Sequence, residues 1–226
     1  MISHVLTSPA DINEPGLVFY GGTALARTHL DTFRLSEDVD LLAHPRSLWN
    51  QLIETRLPRT LRREFGTVTW SVSPCTAKEP ASALLHAEGG LQLKVQVVEL
   101  DHERRLWPTE QRSILMRYAD LSPISMTVPT PAAFAAMKMS AYLNRSAPRD
   151  LADLAELADR GMINAETIAL ARRVIGWAPS LRMFSSIPSG TANSWKVDLA
   201  HQLAVLPDPD DCLARVRTAL GQALHG

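Results

Sequence analysis

Two acidic side chains separated by one apolar residue, Asp38-Val39-Asp40, have the type and spacing that can do chemistry in this chain. In an alternating segment from Glu37 to Leu42 both carboxylates fall on one face, because successive side chains of a strand point to opposite sides. Like charges so placed repel. A hard divalent cation such as magnesium, which takes oxygen ligands and bridges to phosphate oxygens, relieves that repulsion. A second feature lies one short helix upstream. Gly21-Gly22-Thr23 follows an apolar run, Gly16 to Tyr20, that reads as a buried strand. Glycine lets the backbone approach a ligand closely, and the first N–H groups of the helix it opens lack internal partners and attract an anion, with the Thr23 hydroxyl as a further contact. Each feature alone has a plainer reading, a simple turn or a solvated strand face. Together, within Tyr20 to Leu42, they describe a triphosphate-and-metal site.

Further along, Thr130-Pro131 reads as a helix cap followed by proline at the first helical position, and Ala132 to Leu143 is rich in helix formers. Lys138 sits inside that apolar helix, where a lysine usually extends its head to solvent. A second helix starts near Pro148 and places Asp150, Asp153, Leu154 and Leu157 on a shared face. Carboxylates next to leucines need partners, and Lys138 with Arg149 can supply them. That group reads equally as a structural salt-bridge network between two packed helices.

The elements that must hold these residues are legible by pattern. Leu91 to Leu100 is the clearest strand, and Thr67 to Val72 alternates like one. Arg46 to Phe65 is helical, with Leu48, Leu52 and Leu57 as an apolar stripe before Pro58 and with Leu61 and Phe65 resuming it. Its Arg56, Arg59, Arg62 and Arg63 are either a phosphate-binding patch or a solvated face. Lys78 to Gly90 reads as a connection, and Pro179 to Thr191 as a Pro/Ser/Gly-rich loop, mobile from Ser185 to Gly190, before the last helices.

With 226 residues, of which 46% are hydrophobic, the chain can bury a sizeable core as one large domain or two small ones. A net charge of −1 excludes the global basicity of a protein that coats nucleic acid, so any such binding must come from local patches. Cys75 and Cys212 match no metal-binding spacing and read as buried small side chains. No segment has the length and apolarity of a membrane span and no basic segment leads into an apolar run, which together point to a cytoplasmic protein.

The pattern Gly21-Gly22, a spacer, then Arg34-Leu35-Ser36-Glu37-Asp38-Val39-Asp40 is similar to the signature of the polymerase-beta-like nucleotidyltransferases. More narrowly, G-G-T-A-L-A followed by R-L-S-E-D-V-D-L resembles the AbiEii-type nucleotidyltransferase toxins of bacterial abortive-infection and toxin-antitoxin systems. Lys138 and the later R-D-L-A-D-L, from Arg149, extend the likeness. The resemblance implies an α+β fold, with a polymerase-beta-like mixed sheet in residues 1–128 and a helical domain in 129–226 that contributes to the active-site cleft. It implies a nucleoside triphosphate held by Gly21, Gly22, Thr23 and Ser36, magnesium on Asp38 and Asp40, and Lys138 at the triphosphate. Asp153, favoured over Asp150, would act near the acceptor or hold the lysine. The activity implied is transfer of a nucleoside monophosphate to an RNA acceptor, with the tRNA 3′ end first, which would block translation, and the partner implied is a cognate antitoxin.

The wider fold carries a third carboxylate on a neighbouring strand, two positions after a lysine placed like Lys94. This chain has Gln96 there, and Glu99, three residues on, faces the other side of a regular strand. The site therefore works either with two carboxylates or with Glu99 in a shifted register. Transfer to a protein or small molecule, and a nucleotide-binding module without turnover, are the alternatives.

Overall fold

Leu17–Tyr20 form the first strand, β1, and the chain turns at Gly21 directly into helix α1, Gly21–Thr28. The computed structural model describes residues 5–6, 16–31, 33–116 and 123–225. The chain divides into a sheet unit, made of Met1–Asp31, Ser36–Arg105 and Thr109–Val128, and a helical unit, made of Thr32–Leu35, Leu106–Pro108 and Pro129–Gly226.

In the sheet unit, β1 is followed by β2 (Val39–Ala43), helix α2 (Arg46–Phe65), β3 (Thr69–Val72), β4 (Ala83–His86) and β5 (Gln92–Glu99). The five strands lie in the order β1-β2-β5-β4-β3. Only β2 and β5 run parallel, and the other neighbours are antiparallel, so the sheet is mixed. Alternation along β5 buries Leu93, Val95 and Val97 on one face and leaves Gln92 and Lys94 exposed on the other. The first face also carries Val39, Leu41 and Leu85, all buried. Trp70 pairs with Leu85 and donates its indole N–H to the Glu54 carbonyl of α2 at 3.1 Å, which places α2 on this face. The opposite face holds a smaller cluster of Val18, Leu42, Val98 and Leu100, with Tyr20 packed against it.

Helix α2 buries Trp49, Ile53, Leu57 and Leu61, an unbroken four-residue repeat. The stripe expected through Leu48 and Leu52 is therefore displaced by one residue, which is about 100° around a helix of 3.6 residues per turn, and Leu48 is exposed. The helix continues through Pro58. Proline has no N–H to give the carbonyl four residues back, which is that of Glu54, and the Trp70 indole N–H satisfies this carbonyl instead.

The segment 78–90, expected to be a connection, contains β4. Four residues, A-L-L-H, carry too little pattern to announce a strand; β4 exists because β3 and β5 supply hydrogen bonds on both its edges. Strands β6 (Thr109–Ser113) and β7 (Ser125–Pro129) form a separate two-stranded sheet. Cys75 is exposed, against expectation, while Cys212 is buried, and both are free thiols.

The helical unit contains α3 (Pro131–Arg145), α4 (Pro148–Asp159), α5 (Ala165–Leu170) running into a π-turn at Ala171–Ile175, α6 (Ser189–Leu199) and α7 (Pro209–His225). Thr130 caps α3 by accepting the Ala133 N–H at 3.3 Å, and Asn164 opens α5 with a reciprocal capping box. Helix α4 packs against α3, α6 and α7, so Asp150 and Asp153 are buried along with its leucines. The stretch expected to be a loop holds a 3₁₀ turn, Leu181–Phe184, whose Phe184 is fully buried, and α6 begins at Ser189, inside the part expected to be mobile. Trp195 belongs to the core, with its indole N–H on the Pro207 carbonyl at 2.9 Å.

Replacing Trp70 by Phe should destabilise the protein by about 1–2 kcal/mol, because the partly buried Glu54 carbonyl loses its donor. In a Pro58→Ala background, where the helix supplies its own N–H, the same change should cost measurably less. Urea unfolding of the four proteins in a double-mutant cycle measures the difference.

Candidate functional site

The close of β1, the turn after it and the start of β2 meet through strand register. Tyr20 pairs with Asp40 across the antiparallel β1–β2 ladder, and Asp40 pairs with Gln96 across the parallel β2–β5 ladder. Tyr20, Asp40 and Gln96 thus form one row on the sheet face opposite α2. Strand β2 begins at Val39, so Asp38 stands just before it rather than within it. Both aspartates are partly accessible to solvent.

Gly21 follows the Tyr20 end of that row with φ +80°, the left-handed conformation that favours glycine. A Cβ there would come within 2.2 Å of Asp40 Oδ2. The turn therefore approaches the Asp40 carboxylate as closely as a backbone can, which is a reason for glycine beyond the turn itself. Gly22 is the second residue of α1, and Thr23 is buried in its first turn. The Thr23 hydroxyl lies 2.8 Å from Ser36 Oγ and hydrogen-bonds the Asp38 carbonyl, so it ties the chain leading into β2 to the start of α1. Burial pushes the Tyr20 phenol above its ordinary range, and Asp40 adds to the effect.

The ligand atoms that Asp38, Asp40 and the Gln96 side-chain amide can offer are oxygens, which suits a hard divalent cation rather than a thiophilic one. Among the described residues there is no group of three or more His, Cys, Asp or Glu placed to hold a metal. An ion held by Asp38 and Asp40 would complete its shell with substrate and water oxygens, as magnesium commonly does. Register settles the geometry of the third position. Gln96 is the residue beside Asp40, while Glu99 pairs with Ala43, three residues or roughly 10 Å further along β5. Glu99 accepts the Arg46 backbone N–H at 3.0 Å at the start of α2 and lies 2.6 Å from His44 Nδ1. It serves that helix end. The Gln96 amide nitrogen donates to the Pro80 carbonyl.

Lys138 and Asp153 lie in the helical unit and are brought together there. Lys138 is 6% exposed and does not reach for solvent; its ammonium lies 2.7 Å from Asp153 Oδ2 and 3.0 Å from Asp150 Oδ1. Asp150 also accepts from Arg145, at 2.6 and 2.9 Å. Asp153 accepts both Nε and Nη2 of Arg34, at 2.6 and 2.9 Å. Three cations thus face two anions; Arg34, Lys138, Asp150 and Asp153 are buried, while the Arg145 side chain is half exposed. Burial pushes the Asp153 carboxyl up, but Arg34 and Lys138 outweigh it and hold the group down at about 2. The Asp150 carboxyl is likewise held below its ordinary value, with Lys138 and Arg145 overcoming burial.

The partner expected for the aspartates alongside Lys138 was Arg149, which is instead exposed; Arg145 and Arg34 take that place. Arg145 is legible in hindsight, five residues before Asp150 across the α3–α4 corner. Arg34 is 119 residues from Asp153, so no local period could have joined them. Arg56, Arg59, Arg62 and Arg63 all project from the exposed side of α2, and Arg63, 92% exposed along its side chain, lies 3.8 Å from Glu64.

The family described as "Nucleotidyl transferase AbiEii toxin, Type IV TA system" matches residues 4–220. No curated protein matches the sequence. Among solved structures, MenT4, a nucleotidyltransferase toxin from Mycobacterium tuberculosis, superposes with a TM-score of 0.68 over 99% of this chain and 81% of its own, at 17% identity. JHP933 from Helicobacter pylori does so with a TM-score of 0.60 over 97% and 87%, at 15% identity. A putative nucleotidyltransferase from H. pylori gives 0.60 over 97% and 90%, also at 15%. At these identities the likeness concerns the fold, which is of the mixed α+β kind expected.

Two outcomes follow from the local geometry. Gly21→Ala should destabilise the sheet unit by about 1–3 kcal/mol, because the added carbon meets Asp40 and the backbone conformation is unfavourable for alanine; denaturant unfolding measures it. Asp153 has a carboxyl lowered from 3.8 to about 2, so its contribution to stability is complete above about pH 4 and is lost as pH falls toward 2. The loss of stability between about pH 6 and pH 3 should therefore be smaller in Asp153→Asn than in the unsubstituted protein, as read by urea midpoints.

Proposed function

Because the chain belongs to the AbiEii family of nucleotidyl transferase toxins of type IV toxin-antitoxin systems, we propose that it transfers a nucleoside monophosphate from a nucleoside triphosphate to an RNA 3′ end, with tRNA as the acceptor, and so blocks translation. The family makes the chain a nucleotidyltransferase and implies a triphosphate substrate and a cognate antitoxin. No helix among the described residues is long and apolar enough to cross a membrane.

The observation that supports the reading best is the approach of the Gly21 turn to the Asp40 carboxylate, since it sets the free N–H groups at the start of α1 beside a metal-competent oxygen. In this reading Gly21, Gly22 and Ser36 receive phosphate oxygens, with Thr23 holding Ser36 and Asp38 in place. Asp38 and Asp40 hold the divalent ion, for which magnesium is the choice that fits an all-oxygen donor set. The ion supplies charge neutralisation and orientation of the triphosphate. The acceptor hydroxyl forms a bond to the α-phosphorus as the bond to the bridging oxygen breaks and pyrophosphate leaves. Lys138, with two of its three ammonium hydrogens on carboxylates, offers the third to the charge that builds on the leaving group. The Asp153 carboxylate, already receiving three donors, holds Lys138 rather than taking a proton from the acceptor.

Alanine at Asp40 should abolish incorporation from each of the four labelled triphosphates into total tRNA, with the fold retained by circular dichroism. Retained incorporation would sink the metal-site reading, and label appearing in protein rather than RNA would redirect the acceptor.

A further inference from the structure

We propose that Arg34 is a positioning residue for nucleotidyl transfer, fixing the Asp153 carboxylate and through it the ammonium of Lys138 in the orientation the triphosphate requires. The proposal rests on the reading of Lys138 as a triphosphate contact.

Arg34 is 3% exposed, and Asp153 is 1% exposed. The guanidinium meets both carboxylate oxygens, Nε with Oδ1 and Nη2 with Oδ2, a bidentate fork that fixes the carboxylate plane as one donor cannot. Its remaining nitrogen, Nη1, donates to the Leu35 carbonyl at 3.1 Å and to Gln202 Oε1 at 2.9 Å, while the Leu35 N–H donates to the Gln202 carbonyl at 2.8 Å. Arg34 is thus itself held from two sides. Asp153 Oδ2 then serves Lys138, whose ammonium is shared with Asp150.

Two consequences separate this from a packing role. A buried ion pair stabilises a fold weakly, because desolvation offsets most of the attraction, and an apolar pair of similar volume often does as well. Fold stability alone therefore gives little reason to set a second cation on a carboxylate already bound to Lys138. The charge count gives the second. Among the described ion pairs Arg34 adds a third positive charge beside Asp150 and Asp153; without it Lys138 shares those two carboxylates with Arg145 alone, and more of its charge is taken up by them than left for a phosphate.

The test measures kcat and KM for labelled triphosphates with total tRNA, together with growth arrest on induction without antitoxin, which needs no knowledge of the acceptor. The proteins are Arg34→Met, Arg34→Lys, Lys138→Met, Arg34→Met with Lys138→Met, and the apolar pair Arg34→Met with Asp153→Leu. Arg34→Met should lower kcat by about 10- to 100-fold, the scale for a misplaced group, and abolish arrest at unchanged protein level. Arg34→Lys, a single-point donor, should recover part of the loss. The double variant with Lys138→Met should be no worse than Lys138→Met alone, because both act through one ammonium. The apolar pair should fold and still lack activity, which covers the case in which Arg34→Met does not fold. The proposal is overturned if the apolar pair, or a folded Arg34→Met, keeps kcat or growth arrest within twofold of the parent, or if the effects of Arg34→Met and Lys138→Met multiply. If Lys138→Met is itself fully active, the reading of Lys138 has failed and takes the proposal with it, an outcome distinguishable from loss at Lys138 with none at Arg34.

Discussion

A carboxylate with three donors in a dry setting is the constraint around which the helical unit is arranged. Asp153 receives Arg34 through two bonds and Lys138 through one, and Asp150, one turn away on α4, receives Lys138 and Arg145. Stripping water from the four buried charges is costly, and the cost is recovered only where each partner is placed well. Helix α4 meets this condition because α3, α6 and α7 cover it and because the tight corner at Ser146, in the left-handed conformation at φ 53°, returns the chain onto α3 after Arg145.

The sheet unit solves a different problem, that of bringing a backbone turn against a carboxylate. It does so through register. Once Tyr20 is opposite Asp40, the next residue leaves the strand beside that side chain, and a Cβ there would run into the Asp40 carboxylate, which favours glycine. The same register puts Gln96 beside Asp40 and moves Glu99 to the far end of β5, where it holds the start of α2. A neutral amide in that position spares Asp38 and Asp40 the repulsion that a third carboxylate would add.

Chemistry of the candidate site was legible wherever its residues were close in sequence. The Gly-Gly turn, the D-V-D spacing, the Thr130-Pro131 start of α3 and the parity of β5 are all local signals, and each lies where pattern placed it to within a residue or two. The signals that failed were those decided by a distant partner. Strand β4 is made by the two strands that flank it, the first part of the buried stripe of α2 is offset by one residue, and Pro58 is accommodated by a tryptophan twelve positions later.

By itself the sequence placed the Gly-Gly turn, the D-V-D pair that follows it and the pairing of a helical lysine with an aspartate, because residue type and short periodicity encode these directly, and its likeness to a known family implied the α+β fold. Only the tertiary structure decided that Asp150 and Asp153 both serve Lys138, that Arg145 rather than Arg149 joins them, and that Arg34 closes the cluster from 119 residues away. The physical reason is that a buried charge is satisfied by whatever donor the fold brings within hydrogen-bonding distance, and sequence separation carries no information about that distance once the chain has turned back on itself.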